Sequence, residues 1–290
     1  MQTQDQLAEQ FEEHREHLRG VAYRMLGSMT EADDAVQEAW LRLVRSDVDE
    51  VRNLAAWLTT VVSRICLDQL RARTSRREEP LDAHVPDPVV TLLEADPQSA
   101  AEQADDVTLA LLVVLDALGP RERTAFVLHD MFGVPFDRIG EIVGSTAGTA
   151  AQLASRARRR VRDTPPPVAD RATQRRVLDA FTTAARAGDF EALLEVLDPD
   201  VMLRADAGEG VASVLVRGAA EVASRAVAFR RHEADQVHVL VNGAVGLVSF
   251  ADGRPLSVFS PVVRDGRIVE INILADPERI ARLGIGGLVG

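Results

Sequence analysis

The sequence is poor in aromatic residues, 4% against 46% apolar residues overall. Its cores must therefore be built mainly from Leu, Val, Ile and Ala. It has a single cysteine, Cys66, which excludes an internal disulfide. Lying between Ile65 and Leu67 in a helical pattern, Cys66 reads as a small buried core residue rather than a reactive thiol. No apolar run approaches the ~20 residues that span a bilayer. The opening MQTQDQLAEQFEEHREHLRG lacks the apolar centre of a secretion signal. Together these absences point to a cytoplasmic protein with no membrane partner. Positive charge is also in deficit. A net charge of -12 excludes a protein coated in basic groups, but it leaves room for a local basic stripe. A chain of 290 residues allows two domains or three small ones, and no internal repeat is visible.

Three compositional blocks are present. The first, residues 7–77, is helical throughout. DDAVQEAWLRLV places Val36, Ala39, Trp40, Leu43 and Val44 on one face, with Asp33, Asp34, Gln37 and Glu38 toward the other, the period of an amphipathic helix. LAAWLTTVVSRICLDQLRAR repeats the pattern and leads into a basic tail of Arg71, Arg73, Arg76 and Arg77. Residues 78–105 are acidic and interrupted by Pro80, Pro86, Pro88 and Pro97, and so read as a linker with at most short ordered pieces. The second helical block, residues 106–163, contains FDRIGEIV, then Gly144, then a further helix. Helix, short Gly-containing turn, helix is the pattern of a helix-turn-helix, with Ser145 or Thr146 as the cap of its second helix. Three successive prolines make residues 164–171 a stiff hinge. Residues 172–282 then turn to two helices broken at Gly188–Asp189, followed by strand patterns VHVLV, AVGLVSF, LSVFSPVV and RIVEINIL. Asn242–Gly243 and Asp265–Gly266 are hairpin turn signals, so this block is α+β with a curved antiparallel sheet.

The one strong concentration of positive charge falls in GSTAGTAAQLASRARRRV, at Arg156, Arg158, Arg159 and Arg160. In a helix-turn-helix, Thr149 and Gln152 reach base edges in the major groove while the arginines neutralise phosphates. The alternative is a solvated helix end whose arginines favour the helix dipole. A second basic stripe, Arg64, Arg71, Arg73, Arg76 and Arg77, lies near Trp57, Thr59 and Thr60. Aromatics beside cations suit unstacked bases, and the competing reading makes Trp57 simply core.

EADDAVQEAWLRL, AAWLTTVVSRICLDQLRARTSRR and RERTAFVLHDMFGVPFDRIGEIVG followed by QLASRARRRV together resemble bacterial RNA polymerase sigma factors of the extracytoplasmic-function group, which keep only regions 2 and 4. The third block resembles SnoaL-like (NTF2-like) domains, which one sigma subgroup carries as a C-terminal extension. The resemblance implies a multidomain protein: two all-α sigma domains, the second with a helix-turn-helix, then a cone-shaped α+β SnoaL-like domain. It implies core RNA polymerase and promoter DNA as partners, with no catalysis and no cofactor. Asp33, Asp34, Gln37, Glu38 and Trp40 match the region 2 helix that docks on polymerase. Asn53, Trp57, Thr60, Arg64, Asp68, Arg71, Arg73, Arg76 and Arg77 fall in the part that opens and reads the −10 element. Ser145, Thr146, Thr149, Gln152, Ser155, Arg156, Arg159 and Arg160 fall in the −35 reader. The linker matches the segment that threads into the polymerase channel.

Three motifs of the extended subgroup appear in altered form: HVPDP (His84, Pro86, Asp87, Pro88), DAGEG (Asp206, Gly208, Gly210) and DPERI (Asp276, Pro277, Glu278, Arg279). The resemblance implies a regulatory contact between the C-terminal domain and the sigma core through them. His84 stands where the subgroup has Trp, and Ala151 where the family has Arg, removing one expected DNA contact. SnoaL-like folds also include enzymes and small-ligand binders. His232, His238, Asp206 and Asp235 are the candidates here, but no spacing among them makes a triad. His14 and His17 have no partners at zinc spacing, so no metal site is expected. The expectation is a sigma factor, monomeric when free, modulated by its C-terminal domain, which has room for an unknown small ligand. The alternative is a SnoaL-like ligand-binding or enzymatic protein with a helical tethering module.

Overall fold

The computed structural model describes residues 4–46, 53–76, 83–93, 107–162, 169–208, 213–229 and 235–288. Arg77, Gly210 and His232 lie outside the described residues, as do the side chain of Arg76 and most of the proline hinge. The chain divides into two compact units, Met1–Pro80 with Val114–Thr164, and Leu81–Val113 with Pro165–Gly290.

The first unit opens with α1 (Gln4–Leu26), α2 (Met29–Arg45) and α3 (Leu54–Arg76). Their cores are aliphatic, as the shortage of aromatics requires: Leu18, Val21 and Met25 of α1, Val36 and Leu43 of α2, and Leu58 and Val62 of α3 are all buried. Ala32, Ala35 and Ala39 make one side of α2 small and fully buried, which lets its neighbours approach closely. Gly27, at φ 74, takes the left-handed conformation that ends α1. Cys66 is fully buried, and burial pushes its thiol up to about 12, the nearby Arg123 charge only partly offsetting this. Val44 departs from its expected place. It is 40% exposed, as is its neighbour Leu41 at 39%, because the buried stripe of Ala32, Val36, Ala39 and Leu43 turns Val44 about 100° away from Leu43.

The chain re-enters through α4 (Leu109–Asp116), and α5 (Pro120–Phe126) runs on into one π-helical turn, Val127–Met131. Pro120 sits at the first turn of α5, where its missing N–H costs nothing. Next come α6 (Phe136–Val143) and α7 (Ala147–Arg162), joined by Gly144 at φ 68. Ile139, Ile142 and Val143 bury against Ala150, Leu153 and Ala157. The two helices meet so closely that a side chain at Gly140 would stand 2.9 Å from the Ser145 carbonyl oxygen. This is the helix-turn-helix.

In the second unit α8 (Arg171–Ala187) and α9 (Phe190–Val196) are separated by Gly188 at φ 71. Asp170 and Asp189 cap them by accepting main-chain N–H bonds from Thr173 and Ala192. The sheet contains β1 (Val90–Leu92), β2 (Leu197–Asp206), β3 (Val214–Arg217), β4 (Asp235–Val241), β5 (Ala244–Ala251), β6 (Arg254–Arg264) and β7 (Arg267–Leu274), in the order β1-β4-β5-β6-β7-β2-β3. Among the described residues, only β2 and β7 pair in parallel. Asn242–Gly243, Asp252–Gly253 and Asp265–Gly266 all have positive φ at both positions, the hairpin turn that matches strand twist. Bulges in β5/β6 and β6/β7 curve the sheet. Phe181, Leu193 and Val222, the last from α10 (Ala219–Phe229), pack with Leu203, Val263 and Ile271 of the sheet. The last helix, α11 (Pro277–Arg282), follows β7. The strand β1 comes from the linker, 105 residues before β2.

Candidate functional site

The face of α2 that carries the acidic residues is exposed at Asp33, Asp34 and Gln37. Asp33 pairs with Arg19 at 2.8 Å and Glu38 with Arg42 at 2.9 Å, which leaves Asp34 and Gln37 as open polar groups beside exposed Leu41 and Val44. Trp40 is half-buried, its ring 5.1 Å from that of Phe11.

On α3, Asn53 accepts the Ala56 N–H at 3.0 Å and so caps the helix start. Trp57 and Thr60 are half-buried, Trp57 being neither fully core nor free, and Thr60 spends its hydroxyl on the Ala56 carbonyl. Asp68 and Arg71 are exposed and paired with one another. Arg73 is turned inward: it donates to the Leu26 carbonyl at 2.9 Å and meets Glu31. Arg64 donates to the Glu141 carbonyl of α6 at 3.3 Å.

On α7, Thr146 is the residue that caps: its hydroxyl accepts the Thr149 N–H and lies 3.0 Å from the Thr149 hydroxyl. Gln152, Ser155, Arg156 and Arg159 form an exposed stripe at helical spacing, with Ser145 and Thr149 half-buried at its start. Arg156 and Arg160 both reach Glu122 of α5, at 3.8 and 3.4 Å, and Arg158 pairs with Asp130. Among the described residues Arg159 has no acidic partner.

The three altered motifs meet in one place within the second unit. Asp206, at the end of β2, is buried. Its carboxylate accepts from the Val85 N–H at 3.0 Å, the Gly208 N–H at 3.2 Å and Arg279 Nη1 at 2.7 Å, and His84 Nδ1 lies 2.9 Å away. Burial opposes its ionisation, but the bonds from His84 and the Val85 N–H and the charge of Arg279 outweigh burial and hold the carboxyl well below the usual carboxylate range. Arg279 is the hub. Besides Asp206 it donates through Nε to Asp87 at 2.6 Å and through Nη2 to the Val85 carbonyl. It stands in the first turns of α11, where Pro277 is at N1 and Asp276 caps by accepting the Glu278 and Arg279 N–H groups. Gly208, at φ 84, has no room for a side chain, since a Cβ would lie 2.6 Å from the Asp276 carboxyl. Pro86 and Pro88 are buried alongside. His238 is elsewhere, bonded to Asp179 at 2.7 Å, so the structure gives the enzymatic candidates His238 and Asp206 separate partners.

A second linker contact had no sequence signal beyond a turn. Asn242 is buried and left-handed, at φ 48. Its N–H donates to the Val89 carbonyl at 2.8 Å, its Oδ1 accepts the Val89 N–H at 3.1 Å, and its Nδ2 donates to the Val107 carbonyl at 3.1 Å. Pairing of β1 with β4 continues from there, Val90 opposite Val241 through Leu92 opposite Val239. Residue 89, within the linker, and residue 107, just past its C-terminal end, are thus fastened to one side chain. Asn242→Gly keeps the turn and removes only the side-chain bonds. It is expected to cost about 1–3 kcal/mol of linker attachment, read as faster hydrogen exchange at the Val89 and Val90 amides; unchanged exchange there would show that the bonds are immaterial.

Two helical modules, one with a helix-turn-helix, followed by an α+β domain define a class: DNA-directed transcription factors built on the sigma plan. The family comparisons give the particular group. Residues 10–76 match the model for Sigma-70 region 2 and residues 108–161 that for Sigma-70, region 4. The chain is 36% identical over 295 residues to a probable ECF RNA polymerase sigma factor, SigI of Mycobacterium tuberculosis, covering 99% of this chain and 100% of that protein. It is 38% identical to the ECF RNA polymerase sigma factor SigJ of the same organism, over 93% of this chain and 92% of SigJ. The crystal structure of SigJ superposes with a TM-score of 0.72 at 34% identity, covering 94% of this chain and 98% of that one. The chain belongs to the extracytoplasmic-function RNA polymerase sigma factor family. It binds core RNA polymerase and directs promoter recognition and the initiation of transcription, and the polymerase, not the sigma factor, supplies the catalysis. Among the described residues no helix is long and apolar enough to cross a membrane.

Proposed function

We propose that the C-terminal domain of this sigma factor governs the reach of the linker between regions 2 and 4. The residues of α2 named above dock on polymerase, those of α3 read the −10 element, and the exposed stripe of α7 reads the −35 element. The names of the elements put them about 25 base pairs apart, or about 85 Å at 3.4 Å per step. The thirty residues between Arg76 and Val107 reach about 100 Å when extended, enough to serve both elements. With residues 89 and 107 both bonded to Asn242, the chain between them adds no reach. The twelve residues 77–88 are left, about 40 Å at most.

The observation that carries this reading is Arg279, which gathers Asp87, the Val85 carbonyl and Asp206 about one guanidinium. Run-off transcription with core polymerase tests it. Arg279→Ala, which frees the HVPDP segment, is expected to raise promoter-dependent transcript several-fold over the unaltered chain at limiting polymerase. Equal output would remove the modulatory role. On the DNA side, Arg159→Ala deletes one phosphate contact. The slope of log affinity against log salt for holoenzyme on promoter DNA is expected to fall by about 0.9, and an unaltered slope would reduce Arg159 to a solvated helix end.

A further inference from the structure

In the second unit one row of side chains runs across the helix-covered face of the sheet. Strand register places His238 beside Leu247, Leu247 beside Phe259, Phe259 beside Ile273, Ile273 beside Ala205 and Ala205 beside Val214. Residues directly opposed on neighbouring strands point to the same side. Phe259, Ile273, Ala205 and Val214 pack on the core that α8, α9 and α10 cover, yet all four are only half-buried. Two positions along their strands, Leu203 and Ile271 face each other and are buried. The helical cover therefore stops short over the row, and it does so on β6, β7 and β2, inside the sheet rather than only at its edge. Bulges in β5/β6 and β6/β7 fall on either side of Phe259 and curve the sheet there. Phe181 of α8 stacks near Phe259, with ring centres 5.6 Å apart and planes 29° from parallel. The result is an apolar trough with an aromatic wall.

His238 is the polar member of the row. Its Nε2 lies 2.7 Å from Asp179 Oδ1 of α8. A carboxylate only accepts, so Nε2 carries the proton and donates. In the neutral ring the other nitrogen, Nδ1, is then an acceptor, and among the described residues nothing is bonded to it. We infer that the trough is a binding site for a small, flat molecule of about two fused aromatic rings that carries a hydroxyl group. The rings lie against Phe259, Ile273 and Ala205, and the hydroxyl donates to His238 Nδ1. Covering half-wet apolar surface supplies affinity, and the single polar group sets orientation. An acceptor such as an ether oxygen gains nothing from Nδ1. His238 and Phe259 are two strands apart, about 10 Å at the usual spacing, which is the reach of two fused rings with a hydroxyl at one end. The site is separate from the Asp206 cluster, because Asp206 follows Ala205 along β2 and points to the other face. It therefore stands whether or not the C-terminal domain governs the linker.

The test titrates naphthol into the full-length protein with isotopically labelled isoleucine and alanine methyl groups. The Ile273 and Ala205 signals, assigned with Ile273→Val and Ala205→Ser, are expected to shift, while that of Ile280 in α11 stays. Methoxynaphthalene has the same rings but no hydroxyl to donate. It should bind about three- to tenfold more weakly, the worth of one hydrogen bond. His238→Phe keeps a ring at this half-buried position and removes the acceptor. With native circular dichroism, it should weaken naphthol by the same factor and leave the ether unchanged. The comparison of the two probes on the unaltered protein needs no variant to fold. Absence of methyl shifts up to the solubility limit of naphthol overturns the inference, and so do shifts confined to methyl groups outside the trough. Equal affinity for the two probes overturns it as well, as does a preference for naphthol that survives His238→Phe.

Discussion

Arg279→Ala is expected to detach the HVPDP segment from the C-terminal domain while the sheet survives. The substitution removes three guanidinium bonds, to Asp87, Asp206 and the Val85 carbonyl, and takes away the guanidinium that bridges the two carboxylates. Breaking a buried pair by deleting one partner costs about 3–5 kcal/mol. Most of that cost falls on the linker, since the aliphatic core under α8 and α9 is untouched. Hydrogen exchange at the Val85 amide, which donates to Asp206, should accelerate by two to three orders of magnitude, about 1.4 kcal/mol per factor of ten. Core strand amides should not change. The acid response follows from Asp206. Its carboxyl is held below the ordinary range, so its contribution is fully present above about pH 4 and is lost as the pH falls through the lowered value. Linker protection in the unaltered protein should be level through neutral pH and weaken only on strong acidification. Asp206→Asn should abolish that acid response. Protection that is level to low pH in both proteins would mean that Asp206 does not hold the linker.

Arg123→Met is expected to destabilise the helical unit by a similar amount, about 3–5 kcal/mol, and to lower its unfolding midpoint on the order of 10 °C. Arg123 is 1% exposed and its partner Asp116 9% exposed, so the variant strands a buried carboxylate and uncaps the α1 carbonyl at Arg24. Adding Asp116→Leu removes the stranded charge. The double variant should recover most of the loss, because replacing both members of a buried pair with apolar groups is often neutral. Cys66 offers a native reporter. Its thiol, fully buried and pushed up to about 12 by burial, should resist alkylation in the unaltered protein and react faster in Arg123→Met as the unit opens. A double variant no more stable than the single one would show that the penalty is lost packing rather than an unpaired charge.

Much of the helical half was legible because its signals are local. The stripe Val36, Ala39 and Leu43 predicts one buried face of α2. The Gly144 turn with a polar cap predicts a helix-turn-helix, and Thr146 proves to be the cap. The hairpin turns at Asn242–Gly243 and Asp265–Gly266 likewise follow from residues that tolerate positive φ. The sequence of β2 carries no strand signal because Pro199 and its flanking aspartates read as loop, and β3, four residues long, is too short for its alternation to stand out.

The sequence alone established the order of the parts, the helical blocks, the basic helix and the acidic linker, since each is set by composition or by periodicity over a few turns, while the likeness of the helical blocks to sigma regions 2 and 4 rests on resemblance. It also marked His84–Pro88, Asp206–Gly210 and Asp276–Arg279 as three separate motifs. Only the tertiary structure decided that Arg279 gathers all three, that Asn242 fastens residue 89 of the linker together with residue 107 just past it, and that Arg156 and Arg160 share Glu122 while Arg159 does not. Those outcomes depend on pairs separated by 34 to 194 positions. Nothing in the local chain fixes which distant carboxylate or carbonyl a guanidinium will meet. That is settled by the burial of Asp206, Asp116 and Arg123, because a charge removed from water must find its partner wherever the fold presents one.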